Sequence, residues 1–375
     1  MKILFIVQGE GRGHMTQAIS LQKKLLREGH QLVGVLVGKS PSRNIPDFFT
    51  KAIKAPIYTF DSPNFMPTAK NKKSNIIMSI LLNILQIHKY IHSIRYLNQI
   101  IKDSEADTVI NFYEIITGLT YLCFRPKATM ICIAHQYLFL HPDFKFPPEK
   151  KLFAIMSLKI FTRITAFGAS KKLALSFREM QDNFDRRISV VPPLLRDEVV
   201  AKTPIKGEYI HGYVVNSGFS EDIMDWHTTH PEVPLHFFWD KKNTTPETVV
   251  SRNLVFHQLD DQKFIDYMVG SKAYATTAGF ESVCEAMYLG KPILMVPAHI
   301  EQMCNAYDAS ISGAGVIADS FDMDVLLNFM KNYTPDPDFR AWVKSADRLI
   351  LKEFDEEPLV GAFERSHPQL FPSLT

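Results

Sequence analysis

Short runs of β-branched residues alternate with longer helical patterns along the chain, and no other feature narrows the fold as much. In the first half, Lys2–Val7, Gln31–Val37, Thr108–Asn111, Met130–Ala134, Ile164–Phe167 and Ile188–Val191 read as buried strands. Helical periodicity fills Met15–Arg27 and Ser74–Lys102. In the second half, Tyr209–Val215, Leu235–Trp239, Leu254–Phe256, Ala273–Thr276, Ile293–Val296 and Val316–Ile317 take the strand role. Asp260–Val269, Glu281–Leu289, Glu301–Ser312 and Met323–Asn332 take the helical one. Such alternation builds parallel sheets with crossover helices. Val191-Pro192-Pro193 interrupts it, since proline neither joins a ladder nor continues a helix. We therefore expect one α/β domain over 1–193 and a second over 194–335, with a helical tail over 336–375 packing back towards the first. Tandem domains of this kind hold a ligand between them, outside the carboxyl ends of the strands.

Composition removes several function classes. The chain has 375 residues, 46% of them hydrophobic and 22% charged, with a formal net charge of +2. That balance disfavours a nucleic-acid partner, whose phosphates call for a far more basic protein, and excludes a disordered polyelectrolyte. The four cysteines, Cys123, Cys132, Cys284 and Cys304, form no C-x-x-C pair, so zinc-ribbon and thioredoxin-type sites are not indicated. Dispersed thiols fit a reducing cytoplasm. The opening apolar run is too short for a signal segment, and the apolar stretch Ile76–Ile87 is too short to span a bilayer.

Gly9-Glu10-Gly11-Arg12-Gly13-His14 follows the first strand and opens a helix. Alternating glycines let backbone approach a ligand, and a helix N-terminus favours an anion. A dinucleotide fingerprint would need its third glycine one position later and an acid closing the second strand. That strand instead ends Val37-Gly38-Lys39, which disfavours NAD. A tight turn without a ligand is the plain alternative. His14 favours chemistry, because imidazole serves as a base near neutral pH.

Further on, Thr277-Ala278-Gly279-Phe280-Glu281-Ser282-Val283-Cys284-Glu285-Ala286 precedes Gly290-Lys291-Pro292, Val296-Pro297, Glu301-Gln302 and Asn305-Ala306. This reads as strand, glycine turn, helix, strand, loop, helix. Gly279 frees amides at a helix start, suited to a diphosphate. Glu285, one and a half turns on, can hold a vicinal diol, while Gln302 and Asn305 offer donors and acceptors to sugar hydroxyls.

The stretch resembles the nucleotide-sugar site of GT-B glycosyltransferases. It is most similar to the family 28 enzymes typified by the peptidoglycan lipid-intermediate N-acetylglucosaminyltransferase. The loop ending in His14 resembles that family's N-terminal motif, and Val215-Asn216-Ser217-Gly218 its small phosphate-contacting loop. The resemblance implies two Rossmann-like domains facing across a cleft, and an inverting, metal-independent transfer from a UDP-hexose or UDP-N-acetylhexosamine. It implies no cofactor beyond the UDP-sugar donor, and a sugar or lipid-linked acceptor. Carried over, Glu285 would bind ribose, Gln302 and Asn305 the donor sugar, and Gly279 and Ser217 would border the diphosphate. His14 would be the base, with Gly9, Gly11, Arg12 and Gly13 beside the acceptor. Thr277-Ala278 stands where Arg-Ser is common, and the loop from Pro297 to Gln302 is short, which leaves donor-sugar identity open. A nucleotide-sugar epimerase or hydrolase, or a non-catalytic nucleotide-sugar binder, is compatible with the same fold.

Other signals are weaker. Glu114 and His135 follow strands at their carboxyl ends and are candidates for lining the acceptor cleft, Glu114 as a second catalytic group. Asp322-Met323-Asp324 and Asp336-Pro337-Asp338 spell D-x-D, but each precedes a helix, where aspartate caps. His88 and His92 share a helical face without a third ligand, so no metal is expected. Ile77, Ile80, Ile84, Ile87, Ile91 and Ile94 form an apolar stripe behind Lys70, Lys72 and Lys73, and Lys145, Lys150, Lys151 and Lys159 flank a later apolar segment. Either this stripe is core, or the protein meets an anionic membrane peripherally at its cytoplasmic face.

Overall fold

The computed structural model describes residues 1–41, 43–63, 86–149, 151–241 and 244–355. The first sheet holds β1 (Lys2–Gln8), β2 (Gln31–Lys39), β3 (Ile57–Asp61), β4 (Thr108–Phe112), β5 (Thr129–Ala134), β6 (Lys171–Leu175) and β7 (Ile188–Val191). Their order is β3-β2-β1-β4-β5-β6-β7, and every pairing is parallel. The second sheet holds β8 (Ile210–Val214), β9 (Leu235–Trp239), β10 (Glu247–Ser251), β11 (Leu254–Gln258), β12 (Ala273–Thr276), β13 (Ile293–Met295) and β14 (Gly315–Ile317). Its order is β10-β11-β9-β8-β12-β13-β14, and only the β10–β11 edge pair is antiparallel. Continuous apolar runs such as Ile3–Val7 are buried because helices cover both faces of a parallel sheet.

In each sheet the strand order reverses beside the first strand. The reversals fall between β1 and β4 and between β8 and β12, and each leaves a crevice at the carboxyl edge. The segments after those strands are Gly9–His14, Tyr113–Glu114, Val215–Ser217 and Thr277–Gly279, so both crevices are lined by the motifs that stood out in the sequence.

One expectation is corrected, two strands are added, and one helix is met in part. Ile164–Phe167 is no strand: its first two residues end the helix Leu152–Thr165. Its β-branched hydroxyls are satisfied within the helix, Thr162 Oγ1 donating to the Leu158 carbonyl at 2.8 Å and Thr165 Oγ1 to that of Thr162 at 2.8 Å. The strand in that region is β6, whose leading lysines disguise it. Second, β3 and β10 are strands at sheet edges with little periodic signal. Third, of the helix expected over Ser74–Lys102, the part Ile87–Asp103 is helical, and residues 64–85 lie outside the described residues. There the buried face is Tyr90, Leu97 and Ile101, whereas Ile87 and Ile91 of the expected stripe are exposed.

Both aspartate motifs are caps: Asp322 Oδ1 accepts from Asp324 N at 2.9 Å, and Asp336 Oδ1 from Asp338 N at 2.9 Å. His88 and His92 are exposed on the helix Ile87–Asp103. The helices Pro337–Lys344 and Ala346–Asp355 return to the first sheet, where Trp342 Nε1 donates to the Ser176 carbonyl at 3.0 Å. Ser189 Oγ, on β7, meets Glu353 Oε2 at 3.0 Å. Among the described residues no helix is long and apolar enough to cross a membrane.

Candidate active site

Beside the first crevice, between the first sheet's edge and the segments that follow β13 and β14, lies a cleft of about 1050 Å³. Gln8, Glu10 and Tyr113 contribute from the first sheet's edge, the helix Leu152–Thr165 supplies an apolar wall, and residues 297–301 close the far side. The titratable groups facing it include Glu10, His299 and Glu301. Burial pushes His299 down to about 4 and raises the Glu301 carboxyl. Glu301 Oε1 accepts from Gln136 Nε2 of the first domain at 2.8 Å.

The glycine loop is built for close packing. A side chain on Gly9 would strike the Gly38 carbonyl and Val37 at 2.8 Å, while Gly11, at the head of the helix Arg12–Arg27, has open space around it. A side chain on Gly13 would overlap the carboxylate of Glu281, which comes from the second domain. An acidic side chain of the protein itself thus fills the space at this turn, and burial raises its carboxyl to about 7. Arg12 reaches across as well, with Nη1 3.3 Å from Asp261 Oδ1.

His14 is buried on the first turn, its Nδ1 3.2 Å from Gln17 Oε1. Burial lowers its pKa to about 4, only partly offset by the Gln17 bond, so the imidazole is neutral at physiological pH. Its ring lies 5.7 Å from that of Tyr113, a residue held at φ 61° at the end of β4. Such left-handed backbone on a bulky residue is costly and gathers at functional sites.

Glu114 and His135 do other work. Glu114 is solvent-free and caps the helix Ile115–Phe124, accepting from Thr117 N at 3.1 Å and from the Ser62 hydroxyl. Burial raises its carboxyl to about 7. His135 stacks on Phe280 at 4.1 Å, with Nδ1 2.7 Å from the Leu175 carbonyl, so it sits in the core joining the two domains. Neither residue lines the cleft, and neither does His14, whose ring neighbour Tyr113 does.

In the second crevice, Ala278 is held at φ 64° just before Gly279, which caps the helix Phe280–Tyr288. Thr276 Oγ1, Thr277 Oγ1 and Asn305 Oδ1 are buried with no hydrogen-bond partner among the described residues. On the neighbouring loop, Asn216 Oδ1 accepts from Gly218 N at 3.0 Å, next to Ser217, while Asn216 Nδ2 is likewise unpartnered. Because Thr276 pairs with Tyr213 in register, these orphaned groups share one sheet edge. Buried polar atoms without partners cost free energy that a bound polar ligand removes. Gln302 Oε1 accepts from Ala298 N at 2.9 Å, and Asn305 Nδ2 donates to the Ala278 carbonyl at 3.4 Å. Glu285 is paired with Arg196 through Nε at 2.6 Å and Nη2 at 2.7 Å.

Residues 1–334 match glycosyl transferase family 1. The chain belongs to that family. Its likeness to the lipid-intermediate transferases of family 28 rests on the motifs alone. No curated protein sequence matches it. Spinosyn forosaminyltransferase SpnP superposes with a TM-score of 0.60 at 13% identity, over 95% of this chain and 98% of its own. Medicago truncatula UGT71G1, complexed with UDP-glucose, gives 0.60 at 13% identity, over 94% and 97%. The calicheamicin glycosyltransferase CalG4 gives 0.56 at 15% identity, over 94% and 94%. At such identities the likeness carries the fold: the glycosyltransferase has the GT-B architecture.

Several groups of this glycosyltransferase had no warning in the sequence. Gln17, Arg196 and Glu281 matter through contacts between residues far apart in the chain, which spacing cannot reveal. His299 and Tyr113 carried a usable signal, since both directly follow a strand or its loop at the carboxyl edge.

Proposed function

We propose that the enzyme moves a sugar from a UDP-sugar to an acceptor hydroxyl with inversion at the anomeric carbon, and without a metal ion. The observation that carries this reading is the set of orphaned polar groups on Asn216, Thr276, Thr277 and Asn305 around the N-terminus of the helix Phe280–Tyr288. Helix amides near Gly279 stabilise the leaving diphosphate as its charge grows, while Ser217 borders it. Glu285 holds the ribose with the oxygen lone pairs that Arg196 leaves open, and Gln302 and Asn305 take the donor sugar. The neutral His14 accepts the acceptor's proton as that oxygen attacks the anomeric carbon and the bond to UDP breaks.

Thermal unfolding with nucleotides tests the donor. UDP and UDP-hexoses raise the midpoint, by about 2.7 kcal/mol in stability at a hundredfold excess over Kd, and Glu285→Ala removes most of the rise. Stabilisation by GDP or TDP but not UDP overturns the donor assignment. His14→Ala abolishes transfer and keeps UDP binding; loss on His299→Ala with His14→Ala fully active moves the base to the cleft histidine. A new sugar epimer formed from UDP-sugar without acceptor would identify an epimerase instead.

The acceptor is proposed to be lipid-linked. The cleft's apolar wall, the helix Leu152–Thr165, turns Leu152, Phe153, Met156 and Ile160 outward, 74%, 70%, 60% and 47% exposed. Lys145 and Lys151 are exposed beside it. An apolar ridge with adjacent cations suits peripheral contact with an anionic leaflet. This shifts the membrane face from the isoleucine stripe to the helix that walls the cleft.

A further inference from the structure

We infer that Gln17 and Glu281 form an interdomain relay that fixes His14 in the tautomer with its proton on Nδ1, leaving Nε2 as the free base. The inference rests on the reading of His14 as the base. It names two positioning residues, one of them on the opposite domain.

With Glu281 ionised, the order of donors and acceptors along the chain of contacts allows one arrangement. Burial raises the Glu281 carboxyl to about 7, so above that pH it is ionised and only accepts; the group facing it is then the amide nitrogen of Gln17, and Gln17 Nε2 donates to Glu281 Oε1. That orientation points the Gln17 carbonyl oxygen at His14 Nδ1, 3.2 Å away. A carbonyl oxygen only accepts, so Nδ1 carries the proton. Among the described residues Nε2 makes no hydrogen bond, and its lone pair is free to take a proton from a hydroxyl.

Two further observations show that the contact is built into the fold. Gln17 is buried one turn after His14 on the helix Arg12–Arg27, which fixes its reach. Gly13, on the same turn, is the position at which any side chain would displace the Glu281 carboxylate. Glycine there serves the approach of an acid from the other domain. Glu281 lies in the first turn of the helix Phe280–Tyr288, whose N-terminus faces the orphaned polar groups of the second crevice. The relay is therefore complete only while the two domains are in contact, so the base is set in its reactive form by the same closure that brings donor and acceptor together.

Histidine labelled with nitrogen-15 tests this without any substrate. Long-range proton–nitrogen correlation spectra of the full chain, at mildly alkaline pH, report which ring nitrogen carries the proton; His14→Gln identifies the signals. In the wild type the Nδ1–H form should exceed the Nε2–H form about tenfold. Gln17→Leu should reverse that preference, and Glu281→Gln, whose amide can present either group, should give a mixture. Gly13→Ala, which removes no partner but pushes the carboxylate away, should give the same mixture. A merely structural role would lower the unfolding midpoint and leave the tautomer unmoved. A wild-type proton on Nε2, or variants that fold and keep the wild-type tautomer, would overturn the relay even if the protein transfers sugar. Failure of UDP to bind, with the tautomer as described, would instead count against the donor reading alone.

Discussion

Glu114 caps a helix with its carboxylate shut away from water, and that position carries a pH dependence of its own. Its ordinary pKa of 4.5 is raised to about 7 by burial. The folded state thus holds a proton that the unfolded state releases between those values. The stability this contributes is present below pH 4.5 and lost as pH rises through about 7. For a solvent-free group the loss is ~3 kcal/mol. Glu114→Gln keeps an oxygen for Thr117 N and cannot ionise. Denaturant unfolding of the two proteins should show the variant gaining on the wild type from pH 5 upward, by roughly 2–3 kcal/mol at pH 8. A pH-independent difference would mean that the cap is ionised throughout. The sequence places Glu114 and His135 correctly just past the carboxyl ends of strands, and His14 on the helix that the glycine loop opens, since periodicity locates a strand's end. It cannot tell cap from base from core stacking partner, because Ser62, Glu281 and Phe280 decide those roles from other elements.

Two helices govern the wall of the cleft. Ile115–Phe124 and Leu152–Thr165 approach so closely at Gly118 that a side chain there would overlap the Ile164 carbonyl. Gly118→Ala forces them apart and should cost about 1–3 kcal/mol. It should also disturb the wall that Leu158, Phe161 and Ile164 present, so acceptor KM should rise more than donor KM. Unchanged stability would show that the helices slide without strain. On the outer face of the same helix, flotation with vesicles checks membrane contact. Binding to anionic vesicles should weaken with salt and fall when Lys145 and Lys151 become Glu, or when Leu152 and Phe153 become Ser. No binding at low salt would point to a soluble acceptor. These elements mark the limit of what periodicity conveys. Strands buried on both faces, such as Ile3–Val7 and Ala273–Thr276, are legible because helices cover both sides of the sheet. Ile164 and Thr165 mislead because β-branched residues packed on a neighbouring helix look like a strand. The edge strand Glu247–Ser251 is hidden because three of its five residues are exposed.

At the scale of the whole molecule, several polar bridges join the domains among the described residues, and the last two helices bind the first sheet from the far end of the chain. Arg178 Nη1 meets Asp308 Oδ1 at 2.5 Å, and Arg12 meets Asp261. Half-buried ion pairs of the second kind, still reached by solvent, contribute little by themselves. The apolar contribution of the returning helices is larger: Phe339, Trp342, Val343, Ile350 and Phe354 are buried, in the core cluster that also contains β1 and the helix Phe280–Tyr288. Each such side chain is worth about 1.5–3 kcal/mol when fully buried. Lys24 and Lys171 of the first domain pair with Asp347 and Glu353 respectively, which fixes where these helices lie. Because they run directly on from the second domain, they act as a strap around the first. Ending the chain after Pro335 would strip Ser176 and Ser189 on the first domain of their partners while leaving both sheets whole. Calorimetry of that shortened protein should show a midpoint lower by roughly 10 °C, and its single transition should split in two as the domains unfold separately. A single cooperative transition at the wild-type midpoint would mean that the cleft contacts alone couple the domains, and that the strap is dispensable for the closure on which the His14 relay depends.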